Sequence, residues 1–252
     1  MAPAEGRVLL ITGASRGIGA ATARLAAQRG YRLALNYRSR RDAAEALAAE
    51  LREQGTEVIC VAADVSNEAS IADMFTRIDQ ELGRLRGMVN NAGVLETQAR
   101  LADMDAARLQ RVFQINVTGS FLCAREAVRR MSTVRGGDGG AIVNVSSMAS
   151  RLGSPGEYID YAASKGAIDS MTIGLAREVA AEGIRVNAVR PGIIATDIHA
   201  DGGEPGRVAR LGPQQPLGRG GEPEEVAEAI LWLLSDAASY TTGGFIDVAG
   251  GR

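Results

Sequence analysis

Arg7-Val-Leu-Leu-Ile-Thr12-Gly13-Ala14-Ser15-Arg16-Gly17-Ile18-Gly19 is the stretch that decides the fold. Its first half is a short, unbroken apolar run, the mark of a strand buried on both faces in a parallel sheet. Ala20 to Arg29, directly after it, is rich in strong helix formers. Between strand and helix stand three glycines spaced G-x-x-x-G-x-G. A strand, a glycine-rich turn and a helix in that order form a dinucleotide-binding element. The glycines let the backbone approach a pyrophosphate, and the free N–H groups and dipole of the helix N-terminus favour an anion there. A glycine triplet alone is only a tight turn; its neighbours on both sides give this one its meaning.

Working outward, strands and helices alternate along the whole chain. Strands are predicted at 32–36, 57–62, 87–89, 141–145, 184–189 and 244–248. Helices are predicted at 41–54, from near Glu68 to Leu82, as one long segment from 105 to 131, from Tyr161 to Ala181, and from Glu222 to Leu234. This alternation predicts an α/β fold with a doubly wound, parallel, Rossmann-type sheet and helices on both faces. With 252 residues, 46% of them hydrophobic, the chain can form one large domain, residues 1–252, around a sizeable core. There is no internal repeat. The Gly- and Pro-rich stretch 197–221 is long and irregular, which points to a functional loop. A substrate lid is expected around 194–221.

Composition excludes several function classes. A net charge of −2 argues against nucleic acid or an anionic membrane as partner. No apolar run reaches the ~18 residues of a membrane span. The opening Met1-Ala-Pro-Ala-Glu-Gly-Arg7 has no basic-then-apolar leader, so a cytoplasmic protein is expected. Cys60 and Cys123 are far apart and flanked by apolar residues, as suits buried free thiols rather than a metal site. His199 is the only histidine, which leaves little support for histidine metal sites or serine–histidine hydrolysis.

One other composition detail points to chemistry. Of the 28 basic residues, Lys165 is the only lysine. It lies four residues after Tyr161 in Tyr161-Ala-Ala-Ser-Lys165, and positions i and i+4 share a helix face. A compact ammonium beside a phenol favours the ionised phenol, and a tyrosine so tuned can exchange a proton with substrate. Ser146-Ser147 sits at the carboxyl end of the 141–145 strand, where open α/β sheets place ligands. After the 32–36 strand, Asn36 stands where an acid would hold the ribose of NAD, and Arg38 with Arg16 supplies positive charge. NADP(H) is therefore expected in preference to NAD(H), which stays possible.

Thr12 to Gly19 resembles the cofactor loop of the short-chain dehydrogenase/reductase family, and Asn90-Asn91-Ala92-Gly93 and Tyr161-x-x-x-Lys165 resemble its later motifs. The resemblance runs over nearly the whole chain. It implies that Gly13, Ser15, Arg16, Gly17, Ile18 and Gly19 form the cofactor loop. It places Asp64 and Val65 at the adenine, unless Asp64 only caps the next helix. It sets Asn91, Ala92 and Gly93 along the adenosine side, and Pro191, Gly192, Ile194 and Thr196 beside the nicotinamide. The implied catalytic set is Asn116, Ser147, Tyr161 and Lys165, with Asn116 at a helix irregularity holding a water next to the lysine. Of the two adjacent serines, the family pattern selects the second. The step from Ser147 to Tyr161 is one residue longer than in many members, the surplus falling in 153–160. Tyr158 is a rival acid whose i+4 residue is Ala162 rather than lysine.

The implied activity is an NADP(H)-dependent oxidoreduction of a small-molecule ketone, or 3-oxoacyl-type carbonyl, to a secondary alcohol. An NAD-linked dehydrogenase oxidising a sugar or secondary alcohol is the alternative within enzymes, and a catalytically silent dinucleotide sensor the alternative outside them. Apolar residues on the 105–131 and 161–181 helices, among them Val112, Phe121, Ile168 and Met171, predict a homo-oligomer, a tetramer or a dimer.

Overall fold

Alternation along β1 (Val8–Ile11) sends Leu9 and Ile11 to one face of the sheet and Val8 and Leu10 to the other, and all four are fully buried. A strand buried on both sides belongs at the centre of a layered α/β fold, and β1 lies there. The computed structural model describes Ala4 and residues 6–252; Met1 to Pro3 and Glu5, within the opening stretch read above as lacking a leader, lie outside the described residues. The other strands are β2 (Arg32–Tyr37), β3 (Val58–Ala62), β4 (Leu85–Asn90), β5 (Gly140–Val145), β6 (Ile184–Pro191) and β7 (Phe245–Val248). They form one parallel sheet in the order β3-β2-β1-β4-β5-β6-β7. The order reverses between β1 and β4. There, outside the carboxyl ends of the strands, such sheets open a ligand crevice.

Helices cover both faces. On the Leu9/Ile11 side lie α1 (Gly17–Gln28), α2 (Arg41–Glu53) and α10 (Pro223–Leu234). The buried Ala20, Ala23 and Ala26 of α1 allow it to pack closely on α10. On the Val8/Leu10 side, α3 (Glu68–Glu81) contributes Ile71, Met74, Phe75 and Ile78, while α5 (Ser120–Met131) and α7 (Ile159–Val179) complete the layer. Short helices α4 (Ala106–Phe113), α6 (Ala149–Leu152), α8 (Ile198–Asp201) and α9 (Arg207–Leu211) fill the connections.

Two departures from the sequence expectation matter for the site. The predicted 105–131 helix is interrupted: α4 and α5 are joined by a π-helical segment, Gln114–Gly119. Residues 197–221 are not irregular throughout; they contain α8, α9 and a 3₁₀ turn at Gly212–Gln214. Of the apolar residues taken to favour assembly, Val112, Ile168 and Met171 are buried within the protomer and Phe121 is exposed. Both cysteines are free and buried, and burial pushes the Cys60 thiol up to about 11 and that of Cys123 up to about 12. No helix among the described residues is long and apolar enough to cross a membrane.

Candidate active site

The loop between β1 and α1 is held from below by Asn36. Its Oδ1 accepts from the Gly13 N–H at 3.2 Å, while Nδ2 donates to the Ala63 and Val61 carbonyls at 3.0 and 3.3 Å. Asn36 borders the cleft, but its amide is committed to the backbone. The cations at that end are Arg38 and Arg40. Gly13 and Gly17 have φ of +64° and +53°, a region that costs other residues strain. Gly19 is fixed by space: a Cβ there would lie 2.5 Å from the Gly13 carbonyl oxygen and 2.8 Å from Asn91 Nδ2. No side chain caps α1 and its first turn has no acid. Its N–H groups are thus free for an anion.

Thr12 ties β4 to this loop. Its hydroxyl accepts from the N–H groups of Asn91 (2.9 Å) and Ala92 (3.0 Å), and Asn91 Nδ2 donates back to the Thr12 and Gly13 carbonyls. Sequence reasoning assigns Thr12 no role; its place between the strand and the first glycine is the signal that identifies it. Asp64 accepts from the Ser66 N–H and hydroxyl at 2.9 and 2.7 Å. The α3 cap is Asn67, not Asp64, with its Oδ1 accepting from the Ser70 N–H at 3.0 Å.

β5 and α7 bring the polar cluster together. Ser146 donates to Asp169 Oδ1 at 2.7 Å, whereas Ser147 and Tyr161 line the cleft together and Ser147 lowers the phenol pKa. Lys165 is 5% exposed, and its Nζ donates to the Val145 carbonyl at 2.7 Å and lies 5.5 Å from the Tyr161 ring centroid. Burial lowers the lysine to about 8, opposed by Asp169. Burial raises Tyr161 to about 12, opposed by Ser147. A lysine beside the ring favours the phenolate, and burial of the phenol acts in the opposite direction.

Asn116, in the π-helical segment, is fully buried and does not line the cleft. Its Oδ1 accepts from the Val94 N–H at 2.8 Å, and its Nδ2 donates to the Val94 carbonyl (3.0 Å) and to Ser164 Oγ (3.1 Å). Ser164 in turn donates to the Tyr161 carbonyl at 2.7 Å. Asn116 therefore joins the end of β4 to the tyrosine turn of α7. Gly93 leaves room for this, since a Cβ there would stand 3.3 Å from Asn116 Oδ1 and 3.7 Å from Lys165 Nζ.

The residues 194–221 close one side. Arg16, placed by sequence in the cofactor loop, pairs with Asp201 of α8 and lies 3.7 Å from Asp197. Arg207 is buried between Glu157 and Glu204 and stands over the Tyr158 ring, while the Tyr158 hydroxyl donates to the Gly202 carbonyl at 3.1 Å. Tyr158 is thereby occupied with the covering segment. Behind it, Arg108 and Asp160 form a buried ion pair at 2.7 Å that sequence reasoning missed, because the partners lie far apart in the chain. Gly17 packs on Thr196, with 3.2 Å from a built Cβ to Thr196 Cγ2, and Gly192 packs on Ala249.

Gly13, Ser15, Arg16, Gly17, Ile18, Asn36, Arg38, Asp64, Val65, Asn91, Ala92, Gly93, Ser147, Tyr161, Lys165, Pro191, Gly192, Ile194 and Thr196 all line one cleft of ≈ 320 Å³. Gly19 and Asn116 stand behind its wall. Among the described residues there is no His, Cys, Asp and Glu cluster able to hold a metal ion.

Comparison with known proteins agrees with this geometry. The family model described as "Enoyl-(Acyl carrier protein) reductase" matches residues 13–252. The chain is 58% identical over 245 residues to the uncharacterized oxidoreductase YgfF of Escherichia coli (strain K12), covering 97% of this chain and 99% of that one. It is 43% identical over 246 residues to a cis-4-hydroxycyclohexanecarboxylate dehydrogenase of Sinomonas cyclohexanicum, covering 97% and 96%. A short chain dehydrogenase from Burkholderia cenocepacia J2315, solved in complex with NADP, superposes with a TM-score of 0.90 at 28% identity, covering 98% of each chain. With the sheet order, the glycine loop and these matches over nearly its full length, the chain belongs to the short-chain dehydrogenase/reductase family and is an NAD(P)-dependent oxidoreductase.

Proposed function

We propose that the chain interconverts a ketone and a secondary alcohol with NADP(H), using Tyr161 as the general acid and base. One observation carries this proposal. The only lysine of the chain is buried against the ring of a tyrosine that shares with Ser147 the same cleft as the glycine loop. A surface lysine would keep its head in water; this one does not.

The residues fit the dinucleotide. Gly13, Gly17 and Gly19 keep the backbone open, and the uncapped start of α1 offers N–H groups to the diphosphate. Arg38 supports the 2′-phosphate of NADP, and Asn36 presents no carboxylate against it. NAD(H) is the weaker partner. Asp64, Val65, Asn91, Ala92 and Gly93 flank the adenosine half, and Pro191, Gly192, Ile194 and Thr196 the nicotinamide half. When bound, the cofactor supplies or accepts the hydride. Tyr161 gives its proton to the carbonyl oxygen, or takes the alcohol proton in reverse. Ser147 holds that oxygen in place. Lys165 stabilises the phenolate that remains and bonds the ribose. Asn116 acts by fixing the tyrosine turn through Ser164. Residues 194–221 serve as the lid of a single domain, and the working unit is a homo-oligomer.

The oxidative direction on a secondary alcohol is supported by the name of the Sinomonas relative, a dehydrogenase of a hydroxycyclohexane carboxylate. The test is nicotinamide absorbance with NADPH against β-ketoacyl thioesters, simple ketones, quinones and sugars, and with NADP⁺ against hydroxycyclohexane carboxylates. Tyr161→Phe should lower kcat/KM on any active substrate by at least ~100-fold, roughly 2.7 kcal/mol of transition-state stabilisation, while NADPH still binds. Near-normal turnover of Tyr161→Phe refutes the mechanism.

A further inference from the structure

The sheet has a second cavity, of ≈ 670 Å³, at the end opposite the cleft. It lies where the strands begin. Arg7 precedes β1, Arg86 and Gly87 are early in β4, Gly140 and Ala141 open β5, and Ile184 and Arg185 open β6. Three guanidinium groups meet there, and two are committed. Arg7 donates to both carboxylate oxygens of Asp236 at 2.9 and 2.7 Å. Arg185 donates to the carbonyls of Leu233 (2.7 Å) and Ser235 (3.1 Å), and burial lowers its pKa. The remaining carboxylate on the wall, Asp138, accepts from Arg84 at 3.0 Å.

Arg86 is the exception. Among the described residues its side chain makes no hydrogen bond and no ion pair, and its Nε is buried without a partner. Tyr31 stands on the same wall, and burial raises its phenol, so the hydroxyl keeps its proton as a donor. The cavity thus holds three cations against two carboxylates, both already paired. A buried donor without an acceptor is costly, and the carboxylate whose field Arg86 shares, Asp236, is already bound by Arg7. That cost is relieved by one kind of ligand. A guanidinium is a planar fork whose paired N–H groups match two oxygens of a carboxylate or phosphate.

We propose that this cavity is an oxyanion site that takes the phosphate or carboxylate group of a small molecule, with Arg86 as its principal donor and Tyr31 as its second. The site is separate from the cofactor cleft, since it lies at the amino ends of strands whose carboxyl ends carry the cleft.

The experiment is thermal unfolding of the wild type, Arg86→Gln, Arg86→Ala and Arg16→Ala in sodium phosphate, sodium acetate and sodium chloride at matched ionic strength. At a concentration about ten times Kd, phosphate or acetate should raise the wild-type Tm by roughly 3–6 °C more than chloride. The stronger of the two anions identifies the preferred group. Both Arg86 variants should lose the shift and Arg16→Ala should keep it. Without added anion, Arg86→Ala should melt close to wild type, because no hydrogen bond or ion pair is removed. A wild type that responds equally to all three salts overturns the proposal, as does an Arg86 variant that keeps the shift. Loss of the shift in Arg16→Ala also overturns it, because the anion would then sit in the cofactor cleft.

Discussion

Replacing Lys165 with methionine tests the buried ammonium without cofactor or substrate. The side chains are similar in length and apolar volume, so the change removes mainly the charge and its bond to the Val145 carbonyl. Burial holds the folded lysine at about 8 against 10.5 for the exposed group. That difference corresponds to roughly 3 kcal/mol at about 1.4 kcal/mol per unit. The sign follows from proton counting. Between pH 8 and 10.5 the unfolded chain binds the proton and the folded chain does not, so wild-type stability rises with pH across that window. The lysine's contribution is complete above pH 10.5 and is lost as pH falls through 8. Tyr161, raised to about 12, contributes in the opposite sense: its stability is present below pH 10 and is lost as pH rises through 12. It is common to both proteins and cancels. At pH 7 the methionine variant should be at least as stable as wild type once the lost hydrogen bond, about 1.5–3 kcal/mol, is set against the relieved burial. By pH 10.5 wild type should have gained roughly 3 kcal/mol on it. Urea unfolding of both proteins at the two pH values measures this. A difference that stays constant within about 0.5 kcal/mol would show that the ammonium is not desolvated, and would refute the reasoning about the cluster.

Three further outcomes are expected. Arg38→Asp should flatten or reverse a preference for NADPH over NADH, read from kcat/KM with each cofactor; an unchanged ratio counts against Arg38 as the phosphate cation. Gly19→Ala places a Cβ 2.5 Å from the Gly13 carbonyl oxygen, so it should cost about 1–3 kcal/mol in urea unfolding and weaken NADPH binding by at least ~10-fold in fluorescence titration, roughly 1.4 kcal/mol; unaltered binding would show the loop relaxes freely. Arg108→Met leaves the Asp160 carboxylate buried without its partner and should destabilise by ~3–5 kcal/mol, with a fall below 1 kcal/mol showing that water replaces the arginine.

The glycine loop, the alternation of strands and helices, and the tyrosine–lysine spacing were legible because each is local. The chemistry of Gly17 or of an i, i+4 pair is carried by a few consecutive residues. What the sequence did not reveal depends on long-range packing. Asn36 was read as facing the ribose, yet its amide holds Gly13 and Ala63, which only the β1–β2–β3 register brings within reach. The direction of the Tyr161 shift depends on enclosure, which a one-dimensional pattern does not encode. Residues 197–221 read as irregular because their glycines and prolines mask two short helices, of which α9 is held by Arg207 between Glu157 and Glu204 and α8 by Asp201 on Arg16.

The π-helical segment Gln114–Gly119 bears on the engineering of this site. A π-helical turn contains more residues than the regular helical turns around it. This wider turn points Asn116 inward to Val94 and Ser164 and brings Gly119 against the Val65 carbonyl, where even a methyl group would lie 2.6 Å away. Deleting Val117 would let α4 and α5 fuse into one ordinary helix with a better backbone ladder. It would also swing the residues before it by about 100° relative to those after it. Such a shortened chain gains local helix regularity while losing the link from β4 to the tyrosine turn, so at this point in the chain, helix regularity and site assembly are opposed by the length of one codon.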